Sequence, residues 1–96
     1  MSLIVVGYDW CDYYQDTCKL LDCGGHFFSH VVCENCADLK AKCQEICRNS
    51  PVLGVVGKTS PQIFRHDTDR IICLGGHDDV VKIGVSNVLT WLPLKF

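Results

Sequence analysis

The chain has 96 residues, nine of them basic and eleven acidic, with a formal charge of −2 and 48% hydrophobic residues. That length holds a single domain, 1–96, with a modest core, and the apolar share argues against disorder. The near-balanced charge, without a basic stripe, argues against a nucleic-acid or membrane-surface partner.

No apolar run approaches the roughly 20 residues that a membrane span needs, and the opening "MSLIVV" lacks the basic start of a secretory signal. Both features point to a cytoplasmic protein. The eight cysteines pull the other way, because an even number at this density resembles a disulfide-stapled secreted scaffold. Such scaffolds are loop-rich, whereas this sequence carries long regular segments. Reduced thiols packed as small hydrophobes fit it better.

In chain order, the β-branched run Leu3 to Gly7 reads as a buried strand. Asp12 to Leu21 has helical spacing, with Tyr13, Tyr14, Thr17, Cys18, Leu20 and Leu21 on one broad face, and "CGG" at Cys23 to Gly25 stops it. "HFFSHVVC" is aromatic and β-branched, a second strand. "ENCADLKAKCQEICRN" reads as a second helix with Cys36, Leu39, Cys43, Ile46 and Cys47 in one stripe, ended by Asn49, Ser50 and Pro51. After a glycine-containing loop, "PQIFRH" and "RIICLGG" form two strands around "DTD". A last helix is predicted from Asp78 to Trp91. This β-α-β-α-β-β-α order predicts an α/β fold. Its sheet has four strands and is mixed, because a β-α-β crossover makes a parallel pair and the short "DTD" link makes an antiparallel one.

Cys11 falls between the first strand and the first helix. Helix starts present unpaired amides and partial positive charge, which stabilise a thiolate and lower its pKa. Trp10 and Tyr13 beside it are large enough to wall a shallow groove.

At these residues the chain resembles a glutaredoxin, a member of the thioredoxin-fold family. "WCDYY" stands in the place of the family's active-site motif, "TSPQIF" at Thr59 to Phe64 matches its cis-proline segment, and "GGHDD" at Gly75 to Asp79 matches the turn into the last helix. The resemblance implies a thiol–disulfide oxidoreductase in which Cys11 is the nucleophile. It implies a cis Ser60–Pro61 peptide, and it implies glutathione as co-substrate. Tyr13, Thr59, Ser60 and Pro61 would line the substrate site. Gly76, His77 and Asp78 would receive the γ-glutamyl end, and Lys58 would stand near the glycyl carboxylate. The implied partners are glutathione and protein disulfide or glutathionylated substrates, met by a monomer. No metal is expected.

Several residues depart from the family's pattern. Tyr14 stands where many members carry a second cysteine, so the site is monothiol. The charge of Asp12 opposes a thiolate on Cys11. Tyr8 replaces a common lysine and His77 a small residue, and the "RHDTDRI" hairpin is longer than usual. The "CGFS" motif by which single-thiol members carry iron–sulfur clusters is absent.

The rival is "CENC" at Cys33 to Cys36, a C-x-x-C opening the second helix. Between Cys36 and Pro61 only one helix fits, whereas the resembled fold has helix, strand and helix there. Zinc is another reading, since His26, His30, Cys33, Cys36, Cys43 and Cys47 are all possible ligands. Cys36 and Cys43 lie two helical turns apart, about 10 Å, which weakens it. A Cys33–Cys36 disulfide and plain core packing stay open. The alternative function is therefore a non-catalytic thioredoxin-fold module that binds a protein or metal through its cysteine-rich middle.

Overall fold

A computed structural model describing residues 2–93 forms the opening β-branched run into β1 (Ser2–Gly7), followed by α1 (Asp12–Cys23) and β2 (Phe28–Val32). Then come α2 (Cys36–Cys47), β3 (Val52–Leu53), β4 (Gln62–His66), β5 (Ile71–Gly75) and α3 (His77–Ile83), with a 3-10 turn at Val85–Asn87. The sheet order is β2-β1-β4-β5-β3. β1 runs parallel to β2, β3 parallel to β5, and the β1–β4 and β4–β5 pairs are antiparallel.

Strand alternation divides the core in two. Leu3, Val5, Ile63, Ile72 and Leu74 face Tyr14 and Leu21 of α1, Val80 of α3 and Val88. Val6, Phe64, Ile71 and Cys73 face Leu39 and Cys43 of α2. So α1 and α3 cover one face of the sheet and α2 the other. In α1, Tyr14, Thr17 and Leu21 are the buried residues, an i, i+3, i+7 stripe. The helix ends where Gly25 takes φ +77° and the His26 amide donates to the Leu21 carbonyl at 3.0 Å. At the start of α2, the Asn35 side chain accepts from the Asp38 amide at 2.9 Å.

Two expectations are corrected. The sheet has five strands rather than four, because Val52–Leu53 pairs with Ile71 and Ile72. Two residues are too few to show an alternation in sequence, and the pairing comes from β5 offering an open edge. The last helix stops at Ile83 instead of running to Trp91. Gly84 takes φ +91°, the Asn87 amide side chain caps the Ile83 carbonyl at 2.9 Å, and the chain turns to bury Val88.

Arg65 is what that turn docks on. It lies on β4 with 2% of its surface exposed. Its Nε and Nη2 donate to the Asp67 carboxylate at 2.9 and 3.1 Å. Its Nη1 donates to the carbonyl oxygens of Val88 and Trp91, both at 2.8 Å. A buried guanidinium thus has acceptors on its faces and ties the C-terminal segment to the sheet. Hydrogen bonds from Arg65 hold the Asp67 carboxyl below its usual range.

Arg65→Met should cost about 3 kcal/mol in urea unfolding, because it leaves two carbonyls unpaired and the Asp67 carboxylate with only the longer Arg70 contact at 3.7 Å. A depressed carboxyl pKa contributes stability that is present above the unfolded value and lost as pH falls through the folded one. The parent should therefore lose stability below about pH 4, and the Arg65→Met protein should lose much less over that interval. Equal acid sensitivity in the two proteins would show that the pair contributes nothing.

Candidate functional site

The β1–β4 pairing sets Val6 opposite Gln62, so the loop after β1 and the loop before β4 leave the same end of the sheet. β5 ends there too, since Gly75 pairs with Ile63. So does β2, because Val32 pairs with Gly7. Cys11, Ser60–Pro61, Gly75–Asp79 and Cys33–Cys36 are brought to one end by topology alone.

Cys11 is the N-cap residue of α1, with extended backbone at φ −79° and ψ 128°. Its amide donates to the Tyr8 carbonyl at 3.1 Å, and its own carbonyl accepts from the Gln15 amide at 3.0 Å. The Gln15 side chain reaches back to the Asp9 carbonyl at 2.8 Å, fixing the turn. The Cys11 thiol faces the Ser60 carbonyl oxygen at 3.7 Å. The Ser60–Pro61 peptide is cis, and the Ser60 hydroxyl oxygen accepts from the Tyr8 amide at 3.0 Å. Gly7 permits this approach, because a Cβ there would meet the Ser60 hydroxyl and the Tyr14 ring.

Ser60, which the Cys11 thiol faces, lines an open groove of about 410 Å³ together with Tyr13, Thr59, Gly76, His77 and Asp78, with Gln62 and Asp79 among its other walls. Gln62 is buried and staples the loop before it. Its carbonyl oxygen accepts from the Gly57 amide at 3.0 Å and its nitrogen donates to the Thr59 carbonyl at 2.8 Å. At the far wall the Gly76 amide donates to the Asp79 carboxylate at 2.9 Å. The His77 ring lies 5.2 Å from the Tyr13 ring and bonds Asp78 at 3.1 Å.

Most of the residues singled out from the sequence therefore meet in one place. Lys58 does not. It lines a second groove of about 450 Å³ with Cys36, Leu39, Lys40, Cys43, Cys47 and Val56, and Gly57 separates the two. Sequence reasoning missed Gln62, whose signal was a lone amide in the apolar run "PQIF". It also missed two tyrosine contacts. The Tyr8 hydroxyl donates to the Cys36 sulfur at 3.3 Å while its ring stacks on Trp10 at 5.0 Å. The hydroxyl of buried Tyr14 bonds His30 Nδ1 at 2.9 Å. Neither contact has a local sequence signature, since each joins residues from separate elements.

The eight cysteines are all free thiols in the structure. Burial pushes five of them up; Cys73 reaches about 11 and Cys43 about 12, and Cys18, Cys33 and Cys47 are also raised. Cys23 and Cys36 are exposed and Cys11 is half-buried. Among the described residues no three His, Cys, Asp or Glu side chains converge as a metal-binding group.

Because the thiolate is the reactive form, Cys11, Cys23 and Cys36 should alkylate in the native protein at pH 8. Cys43 and Cys73 should alkylate only on unfolding, as mass mapping would show. A raised thiol pKa contributes stability that is complete below the unfolded value and lost as pH rises through the folded one. The urea midpoint should therefore fall as pH rises above about 9. A midpoint constant from pH 8 to 11 would contradict the burial of these thiols.

No protein-family model matches the chain, and no curated protein matches it.

Proposed function

We propose that the protein is a glutaredoxin-like thiol–disulfide oxidoreductase that works through the single thiol of Cys11. The observation that carries this reading is the Cys11 thiol 3.7 Å from the carbonyl of Ser60, which precedes a cis proline, beside an open groove. A carbonyl in that position pairs with an extended substrate backbone, and the groove beside it receives the rest of that substrate. The strand order β2-β1-β4-β5, with α1 and α3 on one face and α2 on the other, is compatible with a thioredoxin-like fold. Among the described residues no helix is long and apolar enough to cross a membrane.

The reaction balances in two exchanges. The Cys11 thiolate attacks one sulfur of a protein disulfide or a glutathione mixed disulfide. The old S–S bond breaks, a new one forms to Cys11, and the other half departs as a thiolate that takes a proton from water. A glutathione thiolate then attacks the sulfur joined to Cys11, returning the Cys11 thiolate and leaving with that half as a disulfide. The second step is intermolecular, because Tyr14 offers no thiol. Glutathione is thus co-substrate, with Ser60, Thr59 and the turn Gly76 to Asp78 as its supports.

A second reading is favoured by the groove along α2, whose walls are mostly apolar and include three thiols. It makes the protein a module that holds a partner through its cysteine-rich middle, without turnover.

Glutathione-dependent reduction of a mixed disulfide separates the two. The parent should turn over, Cys11→Ser should abolish turnover, and Cys36→Ser should stay within a few-fold of the parent. Because Lys58 faces the other groove, Lys58→Glu should change KM by less than about twofold, short of even a weak surface ion pair. No turnover by the parent, or loss equal to Cys11→Ser in a folded Cys36→Ser protein, would move the function to α2.

A further inference from the structure

The groove lined by Ser60 and the chain around Cys11 carry acidic side chains. The groove includes the carboxylates of Asp78 and Asp79 and no lysine or arginine. On the other side, Asp9 and Asp12 flank Cys11 in the chain, and both are exposed. His77, the groove's one titratable nitrogen, is already bonded to Asp78. The lysines of neighbouring segments line other surfaces. Lys58 and Lys40 line the second groove, and Lys19 sits with Asp16 in a shallow hollow beyond His77. Next to Cys11 stands Trp10, 68% exposed, its indole stacked flat on Tyr8 with 2° between the ring planes. A rigid, exposed indole face among carboxylates is a binding surface for cations.

Resting on the thiol–disulfide reading, we infer that the substrate of Cys11 is a cationic protein segment, a disulfide-bonded cysteine flanked by lysine or arginine. An anionic segment would set its side-chain carboxylates against Asp9, Asp12 and Asp78 with no lysine or arginine side chain lining the groove to receive them, whereas glutathione also carries an ammonium that those carboxylates can accept. A cationic one places its ammonium or guanidinium groups against the Trp10 face and the groove carboxylates while its backbone pairs at Ser60. The chemistry is unchanged: the Cys11 thiolate displaces the partner's other half as a thiolate. Charge selects which disulfide arrives. Such steering acts on the encounter rate, in the range of ten- to a thousandfold at low ionic strength, and salt removes it.

The test uses the full chain and three peptides, each holding one cysteine as a mixed disulfide with the same small uncharged thiol. They differ in flanking residues: two lysines, two glutamates or two serines. Stopped-flow transfer to Cys11 is followed at about 20 mM and at 1 M salt, with Cys11→Ser as the blank. The lysine peptide should react about tenfold faster than the glutamate peptide at low salt, and the ratio should fall below about twofold at 1 M. The Asp9→Asn, Asp12→Asn double variant should reduce the low-salt ratio, and taking a ratio cancels any change in the thiol itself. Trp10→Ala should slow the lysine peptide more than the serine peptide. Equal rates for the lysine and glutamate peptides at low salt would overturn the inference while leaving the thiol chemistry standing. Transfer to none of the three would remove the thiol–disulfide reading, and the inference with it.

Discussion

The antiparallel pairing of β1 with β4 is the constraint on which the site depends. It sets the end of one central strand beside the start of the other, so the turn carrying Cys11 and the turn carrying Ser60 face each other across the sheet end. The approach is close because Gly7 has no Cβ to hold the Ser60 hydroxyl away. The Tyr8 amide, left without a ladder partner past the strand, is satisfied by that hydroxyl at 3.0 Å. The hydrogen bond that ends the strand is thus also the one that holds the proline turn against the thiol. Rigid elements on both sides of the site keep the thiol and the carbonyl at a fixed separation.

Burial sorts the cysteines into roles. Those on the α2 face of the sheet, Cys33, Cys43 and Cys73, pack against Val6, Leu39 and Phe64, and desolvation keeps their protons on. They serve as small apolar residues. Cys11 differs because a helix N-cap lies at an element's rim, where the backbone turns out of the core. A cysteine-rich composition therefore does not imply disulfide chemistry throughout. The accessible thiols are placed by topology and the buried ones by packing.

Much of this was legible in the sequence, for identifiable reasons. The long strands and the first two helices announce themselves through β-branched and aromatic runs, through the helical spacing that includes Tyr14, Thr17 and Leu21, and through "CGG" and "NSP" as stops. Cys11 is visible because it falls between a strand and a helix, and "TSP" because it resembles the glutaredoxin cis-proline segment. β3 was invisible because two residues carry no period. The last helix was overextended because Val80, Ile83 and Val88 keep a helical spacing across Gly84. The buried arginine that pulls the chain into a turn there lies on a distant strand. Lys58 reads as part of "GKTSPQ", yet Gln62 pins the Gly57 and Thr59 backbone on either side of it and Lys58 falls on the other groove. Which way a loop side chain points depends on such tertiary staples, and linear order does not record them.

Tyr14 shows how the site's chemistry and the core's packing share one position. Three residues after Cys11, one turn along α1, a side chain must point back over the sheet toward the next strand. A cysteine there would lie next to the first thiol and could resolve its mixed disulfide within the chain. Tyrosine instead fills the space to 4% exposure and reaches β2, where its hydroxyl meets His30. Burial pushes its phenol up to about 12, so it stays a neutral hydrogen-bonding group at any ordinary pH. The ring packs among Leu3, Val5 and Ile63, and truncating an aromatic of this kind leaves a cavity costing about 3–5 kcal/mol. Stability is therefore drawn from the position where an internal resolving thiol would stand. In the proposed reaction, a mixed disulfide formed on Cys11 therefore waits for a thiol from outside the chain.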